Sequence, residues 1–76
     1  MRIDSLAANQ NVLLQFAGYT ERALFKGVSG SGDERVAKFT SVDSDTHKIY
    51  EWEAYRYCGR WAYGTSAQPL RAIEIL

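Results

Sequence analysis

Several residue types are scarce in this sequence of 76 residues, which has one cysteine, one histidine, one proline and no net charge. One cysteine cannot form a disulfide within the chain, and a reducing, cytoplasmic compartment is therefore expected. Because nine basic residues balance nine acidic ones, we expect no electrostatic binding of nucleic acid or anionic lipid by the whole surface. No apolar run approaches the roughly 20 residues that span a bilayer, so no membrane partner is expected.

Residues that could carry chemistry are equally few. Nucleophilic catalysis needs a nucleophile, a base and a group that orients the base, and Cys58 and His47 are alone of their types. Asp43, Asp45 and His47 alternate along one segment, but zinc would need a further His or Cys, and a calcium loop needs a glycine and a glutamate. The sequence therefore predicts a protein that is not an enzyme, with no catalytic residues, no metal and no cofactor.

Short segments in which apolar and polar residues alternate, separated by turn residues, predict a chain made mainly of β-strands. The predicted strands lie at 12–17, 21–28, 35–42, twice within 48–64, and at 70–76. We expect one domain, 1–76, folded as a small antiparallel barrel or sandwich of five to six strands, with room for one short N-terminal helical turn. Its length and strand spacing are compatible with SH3-like and Sm-like barrels.

The first segment leaves a second fold open. Leu6, Leu13 and Ala17 also fit one face of a helix, so residues 4–17 could form a helix packed against the strands. The alternative fold is α+β.

The segment 48–64 holds six of the ten aromatic residues and predicts a hairpin that turns at Cys58 and Gly59. Tyr50 and Trp52 fall on one face, whereas the tyrosines after Ala54 fall on the other. That change of face predicts a β-bulge near Ala54.

This hairpin is also the predicted binding surface, because tyrosine, tryptophan and arginine are the residues most enriched at binding hot spots. The candidate binding residues are Trp52, Tyr55, Arg56, Tyr57, Arg60, Trp61 and Tyr63. The leading hypothesis is a non-catalytic interaction module that binds protein through this surface, most simply a second copy of itself, which predicts a homo-oligomer.

Three other functions stay open, and the first of them is suggested by the order of the charges. Residues 43–53 carry four acids, whereas residues 54–73 carry three arginines and no acid. Arginines among aromatics are also typical of single-stranded nucleic-acid binding. A third hypothesis is a small-ligand site at a barrel mouth or subunit interface. A fourth is an accessory protein of a phage or mobile element that acts on a host macromolecule, by analogy of size alone.

Overall fold

Six antiparallel strands close into a barrel in the computed structural model, which describes residues 2–76. Each strand pairs with the next along the chain, and the last pairs with the first. The strands are β1 (Asn11–Phe16), β2 (Tyr19–Ser29), β3 (Val36–Val42), β4 (Ile49–Tyr57), β5 (Arg60–Tyr63) and β6 (Gln68–Ile75). The predicted small all-β barrel is confirmed, with six strands and a closed ring rather than a sandwich.

The alternative of a helix over residues 4–17 is wrong. That segment contains one 3-10 turn, Ile3–Ser5, followed by β1 from Asn11. Strand alternation buries Val12, Leu14 and Phe16 together on the inner face, which a helix would spread around its axis. A second 3-10 turn, Gly32–Glu34, lies between β2 and β3, and residues 2–76 contain no helix long and apolar enough to cross a membrane.

The bulge predicted near Ala54 is also wrong. The pairing of β3 with β4 runs without interruption, and Tyr55 and Tyr57 take their places on the outer face by ordinary alternation. The register shifts instead at Lys26 in β2 and at Arg71 in β6. Tyrosine occurs on both faces because its ring can cover apolar surface while its hydroxyl stays in water, so residue type misled the prediction.

The core contains a series of aromatic rings in contact and one buried hydroxyl group, which is hydrogen-bonded to a tryptophan. Trp52 stacks on Phe39 with ring centroids 4.7 Å apart, and Phe16 and Tyr63 pack against Trp52. The Trp52 Nε1–H donates to Ser41 Oγ at 2.9 Å, and that hydroxyl donates to the backbone carbonyl of Arg22 in β2, also at 2.9 Å. Within residues 2–76 every buried side-chain nitrogen and oxygen has a hydrogen-bond partner, as the low polarity of the interior demands.

The hairpin predicted within residues 48–64 is confirmed. Cys58 and Gly59 form the two-residue turn between β4 and β5, with φ of 51° and 76°. Two successive positive φ angles are the mark of a type I′ turn, which matches the twist of the strands it joins. The glycine-rich segment 29–34 connects β2 to β3. A side chain at Gly30 would bring its Cβ to 2.7 Å from a backbone oxygen, so the loop needs glycine there.

Alternate connections of the ring lie at opposite ends of the barrel. The β2–β3 and β4–β5 connections share one end with the N-terminal turn, whose Ile3 is buried against the core. The β1–β2, β3–β4 and β5–β6 connections share the other end. The acids of the β3–β4 connection and the arginines of the β4–β5 hairpin are therefore held at opposite ends of the molecule.

Candidate anion-binding cleft

A cleft of about 320 Å³ opens at the end of the barrel that carries the N-terminal turn. The N-terminal turn, the residue before β3, the β4–β5 hairpin and β6 form its walls. Five of the six arginines of the chain line it, together with Trp61 and a single acid, Asp4. These arginines are Arg2, Arg35, Arg56, Arg60 and Arg71. We call this site the arginine cleft.

The cleft exists because β5 is short. This strand pairs with β6 at only two positions, Ala62 with Pro69 and Tyr63 with Gln68. β6 continues for six residues beyond Pro69 as the partner of β1. Along this stretch β5 no longer runs beside β6, because the chain enters β5 only at Arg60, from the turn after β4. The wall of the barrel therefore parts between the hairpin and β6, and side chains from both strands face the gap.

Trp61 is the aromatic residue of the arginine cleft. The guanidinium carbon of Arg56 lies 5.1 Å from the centre of its ring, and that of Arg35 lies 5.7 Å away. Such cation–π contacts hold a guanidinium group in place without neutralising its charge. Arg56 is fixed further because its Nη2 donates to the Gly59 carbonyl at 2.8 Å. These two arginines are therefore pre-positioned.

Asp4 compensates only part of the positive charge. Its carboxylate lies 3.5 Å from Arg35 Nη1 and 4.0 Å from Arg2 Nη2. Arg60 and Arg71 are exposed, and neither side chain has a hydrogen bond or ion pair within residues 2–76. Five arginines against one aspartate leave four positive charges in excess around one concave surface. Such a surface concentrates anions from solution.

The seven residues predicted as a binding surface do not share one face. Arg56, Arg60 and Trp61 line the arginine cleft. Trp52 is buried and Tyr63 packs against the core. The remaining two tyrosines lie on the outer face of β4: Tyr57 is exposed, whereas the half-buried Tyr55 donates its hydroxyl to the Gly64 carbonyl at 2.5 Å.

Arg2 and Arg35 are the cleft residues that the sequence did not point to. They lie far from the 48–64 hairpin along the chain, and only ring closure and the N-terminal turn bring them beside Trp61. Arg71 stood out only as one of three arginines in a stretch without acids. No signal in the sequence groups Arg2 and Arg35 with the hairpin, because Arg2 lies two residues before Asp4 and Arg35 directly follows Asp33 and Glu34.

The opposite mouth of the barrel is nearly filled by aromatic rings. A cavity of only about 40 Å³ remains there, and the Tyr50 hydroxyl donates to Glu21 Oε1 at 2.6 Å across it. This hydrogen bond to a carboxylate, with a smaller contribution from burial, raises the pKa of Tyr50 above its ordinary value of 10.0. Burial, followed by the nearby Tyr63 and Glu21, raises the pKa of Tyr19. We call this mouth the tyrosine end.

The other residues considered for chemistry lie apart. His47 belongs to the β3–β4 connection and Cys58 to the β4–β5 turn, at opposite ends of the barrel. The Asp43 carboxylate accepts hydrogen bonds from the amides of Asp45 and Thr46, at 2.8 and 3.0 Å. These bonds lower the pKa of Asp43 below 3.8. Within residues 2–76 no three acidic, histidine or cysteine side chains are grouped as metal ligands.

Comparison with known proteins gives no relative: the chain matches no protein-family model, no curated protein and no solved structure. The functional inference therefore rests on the geometry and charge of the molecule itself.

Proposed function

We propose that this protein is a binding module that takes a compact, phosphate-bearing anion in the arginine cleft. The observation that carries the proposal is the gathering of five of the six arginines, from four separate parts of the chain, around one concave surface. Arginine is well suited to this ligand because its planar guanidinium group donates two parallel hydrogen bonds to phosphate oxygens.

The size of the arginine cleft favours a compact ligand over a long nucleic-acid strand. Its volume of about 320 Å³ lies at the lower end of the range for small-molecule sites. A long strand would need a basic groove that continues over the surface. Here the outer face of β4 continues from Tyr55 to two acids, Glu53 and Glu51, and the whole chain has no net charge.

The arrangement of Trp61 also argues against a base-stacking platform. Two guanidinium groups already lie over its ring, so a nucleobase would have to displace a cation to stack there. Tyr57 is the exposed aromatic residue nearest along the hairpin; it stands opposite Arg60 in the register but does not line the cleft. We therefore assign the cleft to the phosphate groups of the ligand.

Ligand binding should be measured by calorimetry and by intrinsic tryptophan fluorescence, to which both Trp61 in the cleft and the buried Trp52 contribute, at one fixed ionic strength. The probes are inorganic pyrophosphate, a nucleoside triphosphate, single-stranded oligonucleotides of two lengths and a polyglutamate peptide. We expect both compact phosphates to bind with one-to-one stoichiometry and to compete with each other. Equal affinity for the two would assign recognition to the phosphates alone, and a stronger triphosphate would add a contact to the nucleoside.

Charge reversal at Arg60 provides the matched test. A charge-assisted hydrogen bond contributes about 1.5–3 kcal/mol, so Arg60→Glu should weaken binding at least tenfold, and roughly a hundredfold or more if both bonds to a phosphate are lost. The control, Lys48→Glu, makes the same change of charge in the β3–β4 connection at the other end and should bind like wild type. An oligonucleotide affinity that rises with length, or binding of polyglutamate alone, would overturn the proposal in favour of a strand or an acidic protein.

A further inference from the structure

The outer face of β2, β3 and β4 carries a second surface that the arginine cleft does not explain. We propose that this surface is an interface between two copies of the chain, related by two-fold symmetry. We call it the outer patch and define it by Arg22, Leu24, Thr40, Val42, Ile49 and Glu51. It lies on the side wall of the barrel, so a dimer formed through it leaves the cleft open to its ligand.

The first observation is an apolar ridge beside an apolar depression. Ile49 and Val42 stand opposite each other in neighbouring strands and are 73% and 59% exposed, the two most exposed large aliphatic side chains of residues 2–76. The same two side chains form one wall of a shallow depression of about 300 Å³, together with Leu24 and Thr40 among others. An exposed apolar ridge of this kind can pack against the same ridge of a second copy.

The second observation is a pair of opposite charges at two corners of the outer patch. On β2, Arg22 lies two residues before Leu24 and lines the depression with Val42 and Ile49, whereas Glu51 on β4 stands opposite Thr40, in the row of Leu24. Both side chains are exposed, and neither makes an ion pair or a side-chain hydrogen bond within residues 2–76.

Two-fold symmetry joins these observations. A two-fold axis that lies in the interface, perpendicular to the line from Arg22 to Glu51, brings Arg22 of each copy to the partner's Glu51. Because that axis passes between Val42 and Ile49, the same rotation lays the ridge of one copy on the ridge of the other. A contact with any unrelated partner would not require one surface to carry both members of each complementary pair, so a second copy is the occupant that the outer patch fits.

The test is the mass of the full chain in solution, measured by sedimentation and by light scattering from micromolar to millimolar concentration. We expect a reversible dimer, weakened at least tenfold by Ile49→Lys. The control is Tyr57→Lys, which puts the same charge at another exposed site on the outer face of β4, in the hairpin first predicted to self-associate. Tyr57→Lys should leave the dimer intact.

Charge exchange keeps the test independent of any effect on folding. Arg22→Glu alone and Glu51→Arg alone should each weaken the dimer, and the double variant should restore it because the two contacts are re-formed with reversed signs. Circular dichroism checks that each variant keeps its strands. A wild-type chain that stays monomeric, a dimer insensitive to Ile49→Lys, or a dimer lost in Tyr57→Lys would each overturn the proposal.

Discussion

The two ends of the barrel are built from the same six strands and are filled in opposite ways. At the tyrosine end, rings from four strands meet and leave only about 40 Å³ of space. At the other end the wall parts between β5 and β6 and leaves about 320 Å³, lined by five arginines. The tyrosine end resembles the interior of a protein, whereas the arginine cleft resembles a site prepared for a ligand.

The two ends also differ in whether their polar and charged groups are paired within the chain. At the tyrosine end the Tyr50 hydroxyl and the Glu21 carboxylate bind each other, and the Trp52 Nε1–H is bound to Ser41. In the arginine cleft Asp4 is the single acid among five guanidinium groups. Satisfied groups stabilise the chain by itself, but uncompensated like charges reduce stability until a counter-charge arrives. The polar groups that stabilise the fold and those proposed to bind a ligand therefore lie at opposite ends of the barrel.

The largest expected effect compares the two tryptophans. Trp52→Ala removes a buried ring and the hydrogen bond to Ser41, and should lower the free energy of unfolding by about 3–5 kcal/mol. Trp61→Ala removes a half-buried ring and should cost about half as much, because less apolar surface is lost. Urea denaturation followed by circular dichroism measures both. Equal losses in the two variants would contradict the division of roles between the ends.

A smaller effect of opposite sign is expected for the arginines. Without ligand, the double variant Arg60→Ala with Arg71→Ala should be more stable than wild type by about 0.5 kcal/mol, because like charges repel. Added sodium chloride should raise the Tm of wild type more than that of the variant, since salt screens the repulsion. Thermal unfolding across a salt series makes the comparison, with Lys48→Ala as the control at the other end. A double variant less stable than wild type would mean that these arginines support the fold.

The smallest effect concerns Asp43, in the connection at the tyrosine end. Because hydrogen bonds lower the pKa of its carboxyl in the folded chain, its contribution to stability is full above the ordinary value of 3.8. That contribution disappears as the pH falls through the lowered value. Asp43→Ala should therefore lower Tm by only about 1 °C near neutral pH, and the melting temperatures of the two chains should converge in strong acid. A difference that stays constant down to pH 2 would show that the carboxylate charge is not involved.

Strand positions followed from local patterns that need no knowledge of the rest of the chain. Alternation located β1 and β3 to within about a residue at each end, and the Cys58–Gly59 pair located the turn between β4 and β5. The bulges at Lys26 and Arg71 were missed because they adjust each strand to a neighbour whose position is set by ring closure. Curvature of a closed sheet belongs to the whole ring and leaves little trace in a single strand.

The candidate site was only half predictable for the same reason. Arg56, Arg60 and Trp61 are neighbours in one hairpin and stood out together, whereas Arg2 and Arg35 reach the cleft from other parts of the chain. Trp52 and Tyr63 were included because aromatic residues suit both a binding surface and a small core. Composition identifies aromatic residues as important. Whether a given ring belongs to the core or to a binding surface depends on which residues it contacts in the folded chain.

Closure of the ring has a consequence for solubility. Each of the six strands would, if left at an edge, offer a row of free amides and carbonyls to other chains, which is the usual start of β-aggregation. Pairing of β6 with β1 closes the ring. Beyond its two pairs with β5, β6 has no strand partner on that side within residues 2–76, and there Arg60 and Arg71 flank the gap. Charged side chains at an open stretch of strand discourage further strands from adding. Two of the arginines that we assign to ligand binding therefore also oppose the addition of foreign strands at the gap beside β6.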